Sequence, residues 1–246
     1  MTDKTRKVAI VTGASRGIGV AIAERLARDG FAVIVNYSAS AGPAEALVGK
    51  IKANGGDALA VRADVSNSGS VQAMFEAAEK AFGGVDALVN NAGVMTVAKV
   101  ADSDDAMLDR QIAVNLKGTF YGMREAARRM RNGGAIVNFS TSVVGTKLET
   151  YGVYAATKAA VETMTAILSK EMRGRNITVN AVAPGPVETE LFLEGKSSEL
   201  VERMAKMSPM ERIGAPEDIA SVVSFLLGRD GRWVNGQVLR ANGGLV

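Results

Sequence analysis

The chain contains neither cysteine nor histidine among its 246 residues. Without cysteine it can form no disulfide and no thiolate nucleophile, and with both residue types missing a zinc site is not expected. Proton transfer near neutral pH must then use groups whose unperturbed pKa lies far from 7. The sequence therefore predicts no metal site, and it makes tyrosine and lysine candidate acids and bases.

Long apolar runs and a strong charge imbalance are also missing. No apolar segment approaches the ~20 residues that span a bilayer, and the first ten residues contain no signal-peptide h-region. The net charge is only +3, with both signs mixed along the chain, so there is no concentrated basic stripe for nucleic acid. We expect a soluble, cytoplasmic protein that binds neither membranes nor nucleic acid.

Short β-branched runs alternate with longer alanine-rich segments of helical periodicity. The runs are continuously apolar, which is typical of strands covered on both faces. Strands are predicted at residues 8–12, 32–37, 58–62, 87–90, 135–140, 177–181 and 237–240, and helices near 17–29, 42–54, 68–82, 103–131, 153–173 and 216–228. This alternation predicts an α/β fold of the Rossmann type, with a doubly wound, seven-stranded parallel sheet between two helical layers. No linker divides the chain, so residues 1–246 are predicted to form one domain.

The segment 188–215 interrupts this alternation. It has no predicted strand, but it places Phe192, Met204 and Met207 among charged residues. One interpretation is a pair of surface helices that pack an apolar face on the core. The other is a substrate lid, in which methionine gives an adaptable apolar lining. The two interpretations are compatible.

A glycine-rich turn, "TGASRGIG" at residues 12–19, follows the first strand and opens a helix. Glycine lets the backbone turn tightly and approach a ligand, and the start of the helix offers free N–H groups and a positive dipole end. In this strand–turn–helix context the turn predicts a dinucleotide-binding site.

Further motifs occur in order along the chain. They are "NNAG" at 90–93, "AVN" ending at Asn115, "STSVVG" at 140–145, Tyr154-x-x-x-Lys158, and "APGPVET" at 183–189. Together with the Gly-x-x-x-Gly-x-Gly spacing of the turn, they resemble the short-chain dehydrogenase/reductase family over nearly the whole chain.

That resemblance implies a set of cofactor-binding residues. Asp64 and Val65 would lie at the adenine, Asn91 at the adenosine ribose and Val187 near the nicotinamide amide. A capping role for Asp64, and a role for Asn91 in tying neighbouring strands together, are alternatives that can hold as well. The complete set is Gly13, Ser15, Arg16, Gly17, Ile18, Gly19, Ser38, Asp64, Val65, Asn91, Ala92, Gly93, Tyr154, Lys158, Pro184, Gly185, Val187 and Thr189.

Tyr154 and Lys158 are four residues apart, which places them on one face of a helix. An ammonium beside a phenol is expected to lower the pKa of the phenol toward a useful range. Tyr154 is the predicted proton donor in carbonyl reduction and the base in alcohol oxidation. The resemblance implies that Lys158 also holds the nicotinamide ribose, and that Asn115 connects Lys158 to solvent through a water molecule.

The resemblance also implies a serine that holds the substrate oxygen. The family usually places this serine thirteen positions before the tyrosine, whereas Ser142 lies twelve and Ser140 fourteen positions before Tyr154. The "SVVG" context favours Ser142. Tyr151 is a weaker candidate for the acid than Tyr154, because alanine stands four residues after it.

The end of the second strand predicts the cofactor type. A site selective for NAD carries a carboxylate there, but this strand ends in Asn36, Tyr37 and Ser38. Arg16 in the glycine turn can offer a charged fork to a 2′-phosphate, and Ser38 a hydroxyl. We therefore predict NADPH.

Within the family the chain most resembles 3-oxoacyl-[acyl-carrier-protein] reductases, which implies a keto group as substrate and a homotetramer. Arg175, and Arg131 nearby, are candidate contacts for an acidic acyl-carrier protein. An alternative for Arg131, with Arg124, Arg128 and Arg129, is that cations are favoured at the end of a helix. The alternatives are a reductase of a sugar, a steroid or a small ketone, and a non-catalytic NADP-sensing protein.

Overall fold

The computed structural model describes residues 6–246, and a seven-stranded parallel sheet lies at its centre. The strands follow the order β3-β2-β1-β4-β5-β6-β7. Every predicted strand is present, and only β6 departs from its predicted ends by more than one residue. The strands are β1 Val8–Val11, β2 Ala32–Tyr37, β3 Asp57–Arg62, β4 Ala87–Asn90, β5 Ala135–Phe139, β6 Thr178–Pro184 and β7 Val238–Ala241.

Helices cover both faces of this sheet, so the predicted three-layer α/β fold is confirmed. The helices are α1 Gly17–Arg28, α2 Ala41–Ala53, α3 Ser68–Phe82, α4 Asp105–Gln111, α5 Gly118–Arg129, α6 Val143–Thr146, α7 Gly152–Glu171, α8 Glu190–Leu193, α9 Ser198–Lys206 and α10 Pro216–Leu227. A short 3₁₀ turn covers Val100–Asp102. None of the described helices is long and apolar enough to cross a membrane.

The prediction of one uninterrupted helix over 103–131 is wrong in one respect. A π-helical turn, Ile112–Lys117, joins α4 to α5. Such turns insert a residue into the helical repeat and are frequent at functional sites. Asn115 lies inside this turn, and its carbonyl oxygen accepts a 2.8 Å hydrogen bond from the Thr119 hydroxyl.

Two apolar cores hold the layers together, one on each face of the sheet. Successive strand residues alternate between them: Ala9 and Val11 belong to the core under α1, α2 and α10, and Ile10 belongs to the core under α3, α5 and α7. Each fully buried Ile or Phe adds about 1.5–3 kcal/mol of stabilisation. Both faces are therefore covered by helices, and the strand ends are what remains open to a ligand.

The chain reverses its direction across the sheet between β1 and β4. In open parallel sheets a crevice forms at such a switch point, beyond the carboxyl ends of the strands. The segment 188–215 lies beside this crevice as two short helices, α8 and α9. Their first turns are capped by the Thr189 and Ser197 hydroxyls, which accept hydrogen bonds from the N–H groups of Phe192 and Leu200.

Candidate active site

A cleft of about 450 Å³ occupies the carboxyl edge of the sheet. All the residues predicted to bind cofactor line it, as do Ser142, Tyr154 and Lys158. Asn115 is completely buried behind its wall. The sequence motifs, which lie far apart along the chain, are therefore brought to one site.

The glycine turn forms a tight cradle at the start of α1. A Cβ atom at Gly19 would lie 2.4 Å from the Gly13 carbonyl oxygen, so no larger residue fits there. Arg16 provides no side-chain cap for α1, and the first turn of the helix contains no acidic residue. The unused N–H groups of a helix start are a suitable site for phosphate, so this cradle fits a dinucleotide.

Asn91 fixes the shape of that turn. Its side-chain amide donates to the carbonyl oxygens of Thr12 and Gly13, at 2.8 and 3.1 Å. The Thr12 hydroxyl accepts hydrogen bonds from the N–H groups of Asn91 and Ala92, both at 3.0 Å. Asn91 therefore ties neighbouring strand ends together, as the alternative interpretation predicted. Asn91 also lines the cleft.

The ends of β2 and β3 form the other wall of this part of the cleft. One Asp64 carboxylate oxygen accepts hydrogen bonds from the N–H and the hydroxyl of Ser66, and these bonds lower the pKa of Asp64. Asp64 thus caps the end of its strand, as the alternative interpretation predicted. Arg16 and Ser38 both line the cleft with exposed side chains.

Lys158 is 3% exposed and lies on α7 with Tyr154. Its Nζ donates a 2.9 Å hydrogen bond to the Phe139 carbonyl oxygen. This is the one acceptor recorded for Nζ within residues 6–246, although an ammonium has three donors. Burial lowers the pKa of Lys158 to about 8. The remaining donors fit ligand hydroxyl groups.

Tyr154 has a higher pKa than the sequence predicted. Its side chain is partly buried in the cleft wall, and this burial raises its pKa to about 12. Lys158 Nζ lies 5.9 Å from the centre of the Tyr154 ring and gives its hydrogen bond to the backbone instead. The expectation that the ammonium lowers the tyrosine pKa is therefore wrong for this structure: burial is the largest cause of the shift, and the one group that lowers the pKa is the Thr141 hydroxyl.

The two serines considered as substrate ligands are both engaged elsewhere. The Ser140 hydroxyl donates to a Glu162 carboxylate oxygen at 2.5 Å. The Ser142 hydroxyl donates to the Ala183 carbonyl oxygen at 3.2 Å and accepts from the Asn242 side-chain amide at 2.9 Å. Ser142 is 2% exposed, so its hydroxyl is held among protein groups.

Thr141, which the sequence interpretation missed, lies between these serines and lines the cleft. Its hydroxyl lowers the pKa of Tyr154 and so favours the phenolate, and it accepts a 3.3 Å hydrogen bond from the Val143 N–H. The available signal was spacing: Thr141 stands thirteen positions before Tyr154. The sequence analysis considered only serine for this role, so it missed Thr141.

Asn115 stabilises the wall of the cleft behind Lys158 through side-chain hydrogen bonds. Its side-chain oxygen accepts from the Val94 N–H, and its amide donates to the Val94 carbonyl oxygen, both at 2.9 Å. The amide also approaches the Thr157 hydroxyl at 3.3 Å. The amide of Asn115 thus fixes a segment that lines the cleft, and its link to solvent through water stays a prediction.

The segments that flank Tyr154 give the cleft an apolar end. The Tyr151 ring packs edge-on against Tyr154, with ring centres 6.4 Å apart. Side chains from three further segments complete this end, of which the sequence had singled out the STSVVG motif and the candidate lid but not Leu245. They are Val143, Leu148, Phe192, Met204, Met207 and Leu245.

The two arginines considered for carrier-protein docking make contacts within the fold. Both terminal nitrogens of Arg175 donate to main-chain carbonyls at the end of α5, those of Ala127 and Met130. Arg131 forms a 3.0 Å ion pair with Asp86. Both cations are therefore engaged within the fold, Arg175 with the end of α5 and Arg131 with Asp86.

Comparison with known proteins identifies the family. Residues 13–246 match the family model described as enoyl-(acyl carrier protein) reductase. The chain is 47% identical to a short-chain type dehydrogenase/reductase of Picea abies, over 98% of this chain and 92% of the other. It is 44% identical to the NADPH-dependent aldehyde reductase-like protein, chloroplastic, of Arabidopsis thaliana, over 98% and 94%.

A solved structure supports the same assignment. A short chain dehydrogenase from Burkholderia cenocepacia, in complex with NADP, superposes with a TM-score of 0.92 and is 35% identical, over 97% of each chain. The chain belongs to the short-chain dehydrogenase/reductase family of oxidoreductases.

Proposed function

We propose that the protein is an NADPH-dependent reductase that converts a ketone or an aldehyde into an alcohol. The observation that carries this proposal is the cluster of Thr141, Tyr154 and Lys158 at the apolar end of a cleft whose other end is a phosphate cradle. The related Arabidopsis protein is named as an NADPH-dependent aldehyde reductase-like protein, and the Burkholderia structure contains NADP. Both agree with this proposal.

The cofactor would be held by the chain along the length of the cleft. The N–H groups at the start of α1 would bind its phosphates, and the unused Lys158 donors its nicotinamide ribose hydroxyls. Asp64 and Val65 would lie at the adenine, and Val187 and Thr189 at the nicotinamide end. When bound, the nicotinamide supplies a hydride.

Tyr154 would protonate the substrate oxygen. With its pKa near 12 it stays protonated at neutral pH and can give its proton as negative charge develops on that oxygen. The neighbouring Thr141 hydroxyl would hold the same oxygen. We propose Thr141 for this role in place of Ser142, because the hydroxyl of Ser142 is bonded to Ala183 and Asn242.

The direct test is NADPH consumption by the purified protein with a panel of aldehydes, free ketones and a 3-oxoacyl thioester on its carrier protein. The proposal predicts turnover of free carbonyl compounds with an apolar substituent. Tight NADPH binding without turnover of any carbonyl compound would instead indicate the NADP-sensing alternative.

A 3-oxoacyl-carrier-protein reductase is an alternative that has the same reaction type but a more specific, carrier-bound substrate. It would need a basic surface for the acidic carrier, but Arg175 and Arg131 are engaged with α5 and Asp86. We therefore propose a free carbonyl compound as the substrate. A rate that is higher with the carrier-bound thioester than with every free ketone would reverse this choice.

Arg16→Ala is expected to weaken NADPH binding by about 1.5–3 kcal/mol, the range for charge-assisted hydrogen bonds. This corresponds to about a 10–150-fold higher Kd. NADH binding should barely change, because NADH lacks the 2′-phosphate. Fluorescence titration with each cofactor measures both constants.

Arg28→Ala is the matched control. Arg28 is an exposed arginine in the last turn of the same helix, outside the cleft lining, so its removal changes the net charge equally. An equal loss of NADPH affinity in both variants would contradict the proposed phosphate contact. An equal loss of affinity for NADPH and NADH in Arg16→Ala would also contradict it.

Carbonyl reduction is expected to slow as the pH rises through about 8. Lys158 is protonated below its pKa of about 8 and loses its charge and one donor above it, whereas Tyr154 remains a proton donor up to about pH 12. The profile of kcat/KM against pH should therefore fall by about tenfold per unit above this pKa. A profile that stays flat to about pH 10, with circular dichroism unchanged, would contradict it.

Exposed apolar side chains in two parts of the molecule support the predicted homotetramer. Phe120 and Ile167 are 43% and 51% exposed on α5 and α7, and Trp233 is 99% exposed between α10 and β7. Closed tetramers use two different self-complementary interfaces, which would bury such side chains. Sedimentation velocity that returns only monomer would contradict this prediction.

Three other features remain predictions: the single domain over 1–246, the cytoplasmic location and the lid near 188–215. For the lid, α8 and α9 contribute Phe192 and Met204 to the cleft. Hydrogen exchange that slows in this segment on ternary-complex formation would support it, and high protection without ligands would contradict it. Limited proteolysis and cell fractionation would test the other two.

A further inference from the structure

After β7 the chain turns back toward the catalytic end of the cleft. Residues 242–246, which we call the C-terminal segment, form a compact turn in which the Asn242 carbonyl and side-chain oxygens accept from the N–H groups of Leu245 and Gly244, at 3.3 and 3.0 Å. Gly243 has a φ of +64°, a conformation that side chains other than glycine rarely adopt. The turn therefore has a defined shape.

One anchor of this segment is the strand end that carries Thr141. The Asn242 amide donates to the Ser142 hydroxyl at 2.9 Å and to the Val246 carbonyl oxygen at 3.1 Å. A Cβ at Gly185 would lie 2.9 Å from Asn242, so the segment packs closely on the end of β6 as well. Asn242 thus connects the turn to the residue next to Thr141.

A second anchor is the segment 188–215. The Ser208 hydroxyl, in a residue that is 4% exposed, donates to the Gly243 carbonyl oxygen at 2.7 Å and accepts from the Met210 N–H at 3.2 Å. A Cβ at Gly243 would lie 2.3 Å from that hydroxyl oxygen. The C-terminal segment is therefore fixed between the catalytic strand end and the end of the candidate lid.

These anchors place Leu245 in the lining of the cleft, together with Met207 and Phe192. We infer that Leu245 determines how large a substituent the carbonyl substrate can carry, and that Asn242 is the positioning residue that holds it there. This inference rests on the proposed function. A branched apolar side chain on a fixed backbone excludes volume that a substrate substituent would need, and one methylene in such a pocket changes discrimination by about 10–200-fold.

The test compares a small with a bulky ketone that share the same reacting group. Leu245→Ala should raise the ratio of kcat/KM for the bulky over the small ketone by about tenfold or more. Leu245→Trp should lower this ratio, and NADPH affinity should stay unchanged in both variants. Val246→Ala is the matched control, because Val246 is the neighbouring apolar residue, is 41% exposed and does not line the cleft.

A measurement without turnover separates this inference from the proposed function. The two secondary alcohols that match the ketones are titrated by calorimetry, and Leu245→Ala should shift their ratio of Kd values in the same direction. An unchanged Kd ratio would overturn the role of Leu245 whether or not the protein reduces carbonyl compounds. A shifted Kd ratio in a protein without turnover would support Leu245 and contradict only the reductase.

Asn242→Ala tests the positioning role. It should shift the bulky-to-small ratio in the same direction as Leu245→Ala and should accelerate hydrogen exchange in residues 242–246. A lower melting temperature without a change of ratio would leave Asn242 a merely structural residue and would contradict its positioning role.

Discussion

Tyr154→Phe should lower kcat for carbonyl reduction by about 10²–10⁴-fold, the usual contribution of a general acid. The ring and its packing against Tyr151 are retained, and only the hydroxyl that would protonate the substrate oxygen is lost. NADPH affinity should not change, because the cradle and Lys158 remain. Steady-state NADPH consumption and a fluorescence titration of the cofactor measure the two effects separately.

Tyr151→Phe is the matched control, since it removes the same hydroxyl from the adjacent ring in the same cleft. Its effect on kcat should be several-fold at most. The assignment of Tyr154 would be wrong if Tyr154→Phe kept more than about a tenth of the wild-type rate, which is less loss than a general acid normally causes. An equal loss in both variants would also contradict it.

The absence of histidine limits the groups that could replace Tyr154 as the proton donor. No side chain of the protein has an unperturbed pKa near 7, and Lys158, whose pKa is about 8, keeps its Nζ 5.9 Å from the Tyr154 ring centre and bonded to the Phe139 carbonyl oxygen. A tyrosine with a pKa of about 12 is fully protonated at neutral pH, so it is present as the acid and hardly at all as the base. The chain is therefore better suited to reduction near neutral pH and to oxidation at alkaline pH.

The sequence was sufficient to predict the fold and the location of the cleft. Continuous apolar runs predicted the buried strands, and the glycine turn at 12–19 predicted a dinucleotide-binding site, which the structure places at the carboxyl edge of the sheet. Both signals are local in the chain, and both follow from geometry that a parallel sheet imposes. The π-helical turn at Ile112–Lys117 was missed because one inserted residue barely changes a helical pattern.

Other features depended on contacts between distant residues. The spacing of Tyr154 and Lys158 predicted their proximity, but the burial that raises the tyrosine pKa depends on the surrounding cleft. Leu245, at the apolar end of the cleft, belongs to no motif, and its place there depends on how the chain folds after β7. The hydrogen bonds from Arg175 to the end of α5 could not be predicted from the sequence either. Arg175 was therefore considered a docking residue for a carrier protein.

The three consecutive hydroxyl residues Ser140, Thr141 and Ser142 provide the second large effect. Thr141→Val keeps the side-chain shape and removes the hydroxyl, and it should lower kcat/KM by about 10²-fold, the scale for the loss of one donor to a developing oxyanion. Thr141→Ser keeps the hydroxyl and should stay within about tenfold of wild type, well short of that loss. Ser140→Ala should have a mild effect, since its hydroxyl is bonded to Glu162.

Ser142→Ala separates the two hypotheses about the substrate ligand. If Thr141 holds the substrate oxygen, Ser142→Ala loses mainly the bond to Asn242, so it should change the bulky-to-small ketone ratio more than the rate with the small ketone. If Ser142 has that role, as the sequence context favours, Ser142→Ala should lower the rate with both ketones more than Thr141→Val does. Measuring kcat/KM for both ketones with the four variants distinguishes a hydroxyl that holds substrate from one that supports the C-terminal segment.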